Sequence, residues 1–119
     1  MHSGATLNFN DRLGISASPD GRSVELLAGD EHLVAPDTVH FAVLATLAEV
    51  SAAQAVVRAT GRSVVPVSVS VQLMSRARSG PLVARGQVLK AGRTLAFVDG
   101  DVFQGEKQVA KASVTFALT

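Results

Sequence analysis

Cysteine, tryptophan and tyrosine are all missing from the 119 residues, and phenylalanine occurs only five times. Without cysteine there is no disulfide framework and no thiolate zinc site. Scarce aromatics leave few platforms on which the bases of a single-stranded nucleic acid could stack. Neither sign of charge is in surplus: eleven Lys and Arg stand against ten Asp and Glu, a net charge of +1. The basic excess that drives phosphate-backbone binding is therefore absent. The three histidines, His2, His32 and His40, lie far apart and form no i, i+4 ligand pair, so no metal is expected. The start, Met1-His2-Ser3-Gly4-Ala5-Thr6, lacks the basic residues and apolar run of a secretory signal. The longest apolar stretch carries Glu49, Gln54 and Arg58 too near its centre to span lipid. Together these absences imply a soluble cytoplasmic protein that engages neither nucleic acid nor membrane.

What remains is aliphatic. The hydrophobic fraction is 47%, carried by Val, Leu and Ala, and the length suits one domain, residues 1–119, with residues 1–11 as a polar N-terminal extension. The apolar stretch runs from Asp37 to Gly61. Asp37 or Thr38 can cap the first turn and Gly61 suits the left-handed position after the last, which brackets one helix of about six turns. Apolar residues fall on nearly all its sides, as in a helix buried all round. Glu49 is the exception in its middle. Three-four-seven spacing puts small residues around it, Ala42, Ala45, Ala52 and Ala53 among them. A carboxylate in a dry place costs several kcal/mol unless paired, hydrogen-bonded or protonated. Glu49 is thus either a solvated or bonded structural carboxylate or a working group.

Around that helix the period is two. Leu13–Ala17, the turn Ser18-Pro19-Asp20-Gly21 and Arg22–Ala28 read as a hairpin. Gly29–Pro36 reads as a loop. After Gly61, Val65, Val67, Val69, Val71 and Leu73 alternate with Pro66, Ser68, Ser70 and Gln72, the mark of a strand with one buried face. A loop Ser75–Pro81 follows, then strands Leu82–Leu89, Thr94–Phe103 and Gln108–Leu118 joined by short turns. The last strand turns Ala110, Ala112, Val114, Phe116 and Leu118 to the core. These last four strands read as an antiparallel meander. Two strands, one buried helix and four strands predict an α+β fold, a six-stranded sheet wrapped about the helix. Its open edges call for a second copy, so at least a homodimer is expected.

His40–Glu49, the Ser-rich strand, Leu73-Met74-Ser75-Arg76-Ala77 and the turn Gly92-Arg93-Thr94-Leu95-Ala96 together resemble the hotdog-fold acyl-CoA thioesterases. The likeness is to the phenylacetyl-CoA and 4-hydroxybenzoyl-CoA thioesterase branches, over about residues 12–118. The resemblance implies a hotdog fold, a homodimer or a tetramer built as a dimer of dimers, and hydrolysis of an acyl-CoA to free acid and CoA. No cofactor is implied beyond the CoA of the substrate. In the family an Asp or Glu follows the helix-opening His by nine residues, which is Glu49 after His40. By resemblance Glu49 is nucleophile or general base, and the Phe41 N–H, at the positive end of the helix dipole, bonds the oxyanion. His40 would face substrate or simply cap the helix. Ser68 is a substrate-contact candidate. Arg76 and Arg78 would meet CoA phosphates or stand as solvated loop residues.

Three stretches depart from the family pattern. Phe41 and Ala42 replace the two glycines usual after the His, and Leu33-Val34-Ala35 stands where relatives carry an Asn or Gln. A Ser or Thr expected at the next strand aligns with Pro66, and Ser68 comes two residues later. These departures keep a second reading open, a non-catalytic acyl-CoA or acyl-carrier binding protein. A hotdog dehydratase fits less well, because its His stands further ahead of the helix, whereas His40 opens it.

Overall fold

The computed structural model describes residues 7–119, so the first six residues of the expected extension lie outside the described residues. The chain begins with α1, Phe9–Leu13, where Asn8 and Asp11 bond reciprocally across the first turn and Gly14, at φ 94°, ends the helix. Leu13 therefore closes a helix instead of opening a strand. The hairpin shrinks accordingly to β1, Ser16–Ala17, and β2, Val24–Ala28. Arg22 and Ser23 stay in the turn, where Asp20 accepts the Arg22 N–H and Ser18 the Ser23 N–H.

Gly29–Pro36 is more ordered than a loop. A 3-10 turn at Asp30–His32 leads into β3, Leu33–Ala35, which pairs with β4, Thr38–Val39. The long helix α2 spans Phe41–Thr60, with His40 as its N-cap and Gly61, at φ 70°, as its C-cap. The expected cap at Asp37 or Thr38 is displaced because those residues are spent on β4 and on anchoring a neighbouring loop. Then come β5, Val64–Leu73, β6, Gly80–Ala91, β7, Leu95–Gln104, and β8, Lys107–Leu118.

Six strands form one antiparallel sheet in the order β1-β2-β6-β7-β8-β5. Only β6, β7 and β8 form a meander; β5 crosses to the far edge and pairs with β8, and β6 pairs with β2. The sheet wraps α2. Leu82 and Ala84 of β6, Val98 and Val102 of β7, and Ala112, Val114 and Phe116 of β8 are buried against it, as their alternation predicts. Each such Leu, Val or Phe contributes roughly 1.5–3 kcal/mol on burial. Close approach requires two glycines: a Cβ at Gly86 would strike the Ser51 carbonyl, and one at Gly100 the Ala48 carbonyl. By length and composition α2 could cross a membrane, but here it serves as the core helix of a sheet.

Two further expectations change. α2 is not buried all round: Leu47, Ala48, Ser51, Ala52 and Val56 are, while Ala45, Thr46, Glu49 and Ala53 form a half-open face. In β5 a bulge between Pro66 and Ser68 breaks the alternation. Val65 falls opposite Ala117 on the outer face, and Val69, opposite buried Val114, is still 46% exposed. Val67 and Leu73 are open as well. The helix packs on β5 less than on β6, β7 or β8: Val64 and Val71 are partly buried against the core, while Val67, Val69 and Leu73 stay open.

Candidate active site

The start of α2 is pinned from three sides. His40 N–H donates to the His32 carbonyl (2.9 Å) and Val39 N–H to the Ala77 carbonyl (2.9 Å). The buried His32 ring accepts the Gly29 N–H at Nδ1 (3.0 Å), so its proton sits on Nε2, which donates to the Leu13 carbonyl (2.7 Å). At the cap, His40 Nδ1 accepts the Ala42 N–H (3.0 Å) and its carbonyl the Val43 N–H (3.0 Å). That leaves the Phe41 N–H with no acceptor among the described residues, a free donor at the positive helix end. The Phe41 ring is exposed and stacks on His40, centroids 4.9 Å apart. His40 is thus the cap, with Nε2–H free to face a ligand.

A cavity of about 490 Å³ opens beside these residues, within the roughly 300–1,000 Å³ usual for small-molecule sites. Its buried lining residues are Val39, Leu44 and Ala77; Val34, Leu73 and Met74 are exposed around it. Arg76 also lines it, exposed and without a hydrogen bond or ion pair among the described residues.

Glu49 lies on the half-open face of α2, half-buried, and no hydrogen bond or ion pair holds it among the described residues. Burial pushes its carboxyl above the ordinary glutamate value, because a desolvated charge is disfavoured. It does not line the cavity. It stands eight positions after Phe41, about 12 Å along the helix axis at 1.5 Å per residue.

The other sequence candidates separate. Arg78 pairs with Asp37 (3.1 Å), whose carboxylate also accepts the Ser79 N–H (3.0 Å). The Ser79 bond and then Arg78 hold Asp37 below the usual carboxylate range. Ser68 sits opposite Thr115 on the outer face of the sheet, away from α2. The structure therefore brings His40, Phe41 and Arg76 to one cavity and leaves Glu49, Ser68 and Arg78 outside it in the single chain. Sequence reasoning missed the cavity floor, since Val39, Leu44 and Ala77 come from three segments with no shared motif. Asp37 and Arg78 carried a signal only as opposite charges with no visible register.

An antiparallel sheet wrapped about one long central helix defines a hotdog protein. The chain belongs to the thioesterase superfamily, whose family model matches residues 37–111. No curated sequence matches it. Among solved structures it resembles zebrafish thioesterase superfamily member 2, at 27% identity and TM-score 0.80 over 96% of this chain and 88% of that one. It shares the fold of the BH2602 protein of Bacillus halodurans, solved with CoA, at 23% identity and TM-score 0.79 over 91% and 74%. It also shares the fold of the PaaI protein from the phenylacetic acid degradation operon of E. coli, at 22% identity and TM-score 0.82 over 92% and 83%.

Proposed function

We propose that the chain, as a single domain over residues 1–119, is a cytoplasmic acyl-CoA thioesterase acting as a homodimer. Glu49 serves as nucleophile or general base and the Phe41 N–H as oxyanion donor. The observation that carries this reading is Glu49 itself: a half-buried carboxylate of raised pKa, on a helix whose N-terminal N–H, like the carboxylate, has no partner among the described residues. Once ionised, a carboxylate raised in this way is more basic than one in water.

The roughly 12 Å between Glu49 and Phe41 is more than one glutamate side chain can reach. A base and an oxyanion donor must each lie within about 3 Å of the reacting carbonyl. The pair therefore comes from two copies, Glu49 of one against the Phe41 N–H of the other. The β5 edge supports a second copy. It is ten residues long, carries no charged residue and exposes Val67, Val69 and Leu73, a surface that folded proteins cover. At the opposite edge β1 has only two residues. CoA phosphates would meet Arg76 at the cavity rim. No metal or further cofactor enters the scheme.

The replacement of both family glycines by Phe41 and Ala42 keeps a non-catalytic acyl-CoA or acyl-carrier binding role as the second reading. One experiment separates the two and tests the shared site. Glu49→Gln removes the carboxylate. Phe41→Pro removes the N–H at a first helical position that tolerates proline, after a His40 already extended at ψ 138°. Each variant alone is expected to be inactive toward acyl-CoAs. Dissociated and reassociated one to one, they should recover about a quarter of wild-type activity, because half the dimers would hold one intact site of two. No recovery in verified heterodimers would place both groups in one chain, and a wild type that binds acyl-CoA without turnover would establish the binding role.

A further inference from the structure

We infer that the cavity at the head of α2 is selective for acyl groups that are apolar to their far end and rejects those ending in a hydroxyl or carboxylate. The inference rests on the thioester reading above for the identity of the ligand, and on the cavity for its selectivity. Three features of one pocket specify a ligand with an apolar tail, a carbonyl and an anionic end. They are the aliphatic interior, the Phe41 N–H at its side and the Arg76 guanidinium on its rim, both without a partner among the described residues.

The floor supplies the selectivity. Val39, Leu44 and Ala77 are at most 4% exposed and carry no polar side-chain atom. Part of their backbone is committed as well: Val39 N–H bonds the Ala77 carbonyl, and Leu44 is inside the helix. Of the polar lining side chains, Thr38 gives its proton to the Pro36 carbonyl (3.1 Å) and His40 Nδ1 holds Ala42 N–H. Ser75 and Arg76 follow exposed Met74 on the rim. A hydroxyl or carboxylate carried to the floor would leave water and meet no polar side chain among Val39, Leu44 and Ala77, the free His40 Nε2–H being at the helix start beside Phe41, which disfavours it by about tenfold or more.

The test is a set of six-carbon thioesters on the intact protein: hexanoyl-CoA, 6-hydroxyhexanoyl-CoA and adipoyl-CoA. Wild type should show kcat/KM at least about tenfold higher for hexanoyl-CoA than for either polar analogue. Val39→Thr, nearly isosteric in a strand, puts a hydroxyl on the floor and should narrow the hexanoyl to hydroxyhexanoyl ratio several-fold. Met74→Trp, at an exposed rim position where folding is not at stake, should shift preference toward shorter chains. Equal rates for the three esters in wild type, with turnover still lost in Glu49→Gln, would overturn the selectivity and leave the hydrolase reading standing. If no ester is turned over, the hydrolase reading falls and calorimetry with S-hexyl-CoA decides the cavity. Affinity at least tenfold above that of CoA, weakened in Met74→Trp, supports it, and affinity equal to that of CoA overturns it.

Discussion

The two faces of α2 are built from similar small residues and do opposite work. Toward the sheet, Ala48, Ser51 and Ala52 are fully buried, and two strand glycines let the helix backbone settle on β6 and β7. Away from the sheet, Ala45, Thr46 and Ala53 surround Glu49 and are left half-open. Small residues next to a complementary surface give close packing; next to nothing, they give a crevice. Even the polar groups follow the division. The buried Ser51 hydroxyl bonds the Ala48 carbonyl of its own helix (2.8 Å) and is satisfied, whereas Glu49 is held by nothing among the described residues. The sheet face stores stability and the open face keeps a strained charge in reserve.

The sharpest way to separate the faces is Glu49→Gln, with the largest expected effect. Loss of the base should lower kcat/KM by roughly 10²–10⁴, yet folding stability at neutral pH should rise. The folded-state pKa of Glu49 lies above its unfolded value, so the folded protein holds this proton more tightly and loses stability as pH climbs from the ordinary glutamate value through the raised one. Glutamine escapes that loss. Urea titrations should therefore show the variant more stable than wild type at pH 7 and the gain shrinking to nothing in acid, below the ordinary glutamate value. The wild-type pH–rate profile should carry an acidic limb with its midpoint above that value. A variant equally stable at both pH values would mean that the carboxylate is fully solvated.

The converse change is made on the sheet face. Gly100→Ala drives a methyl group against the Ala48 carbonyl, backbone that cannot turn aside. About 1–3 kcal/mol of stability should be lost in urea titrations, with the hexanoyl-CoA kinetics of the remaining folded protein unchanged. A loss of turnover matching the loss of Glu49 would show that the two faces are coupled.

How far this division could be read in advance depends on which residues carry it. The alternation in β6 and β8 points the right residues inward where these strands pack on α2; in β6 it ends at a bulge after Val88, beyond which Lys90 and Ala91 are exposed. The same pattern misleads in β5, where Val65 and Val69 fall on opposite faces around a bulge that no residue type announces. Glu49 stood out as a charge in an apolar run, and resemblance assigned it a role. That the run is open on one side depends on where the sheet stops, which is a property of the fold. The helix start was misplaced by two or three residues for a similar reason. Asp37 and Thr38 are good caps, but Arg78 and Ser79 claim Asp37 and the nearby Pro36 carbonyl claims the Thr38 hydroxyl, and His40 caps with its ring instead. The cavity needed five chain segments to meet, and no local pattern records that.

The smallest effect concerns two arginines that look alike in the sequence. Arg78 and Asp37 form a half-exposed pair, the kind that solvent and salt weaken most. Arg78→Ala should lower Tm slightly, and the difference should disappear in high salt; acyl-CoA kinetics should be untouched. Arg76 has no partner to lose among the described residues, so Arg76→Ala should leave Tm unchanged and raise KM for hexanoyl-CoA several-fold, an effect that salt also screens because phosphates are its target. The contrast lies in which observable moves. If Arg78→Ala raised KM as much as Arg76→Ala, the Asp37 pair would have to open on binding, and the rim would be a larger anion site than its resting geometry shows.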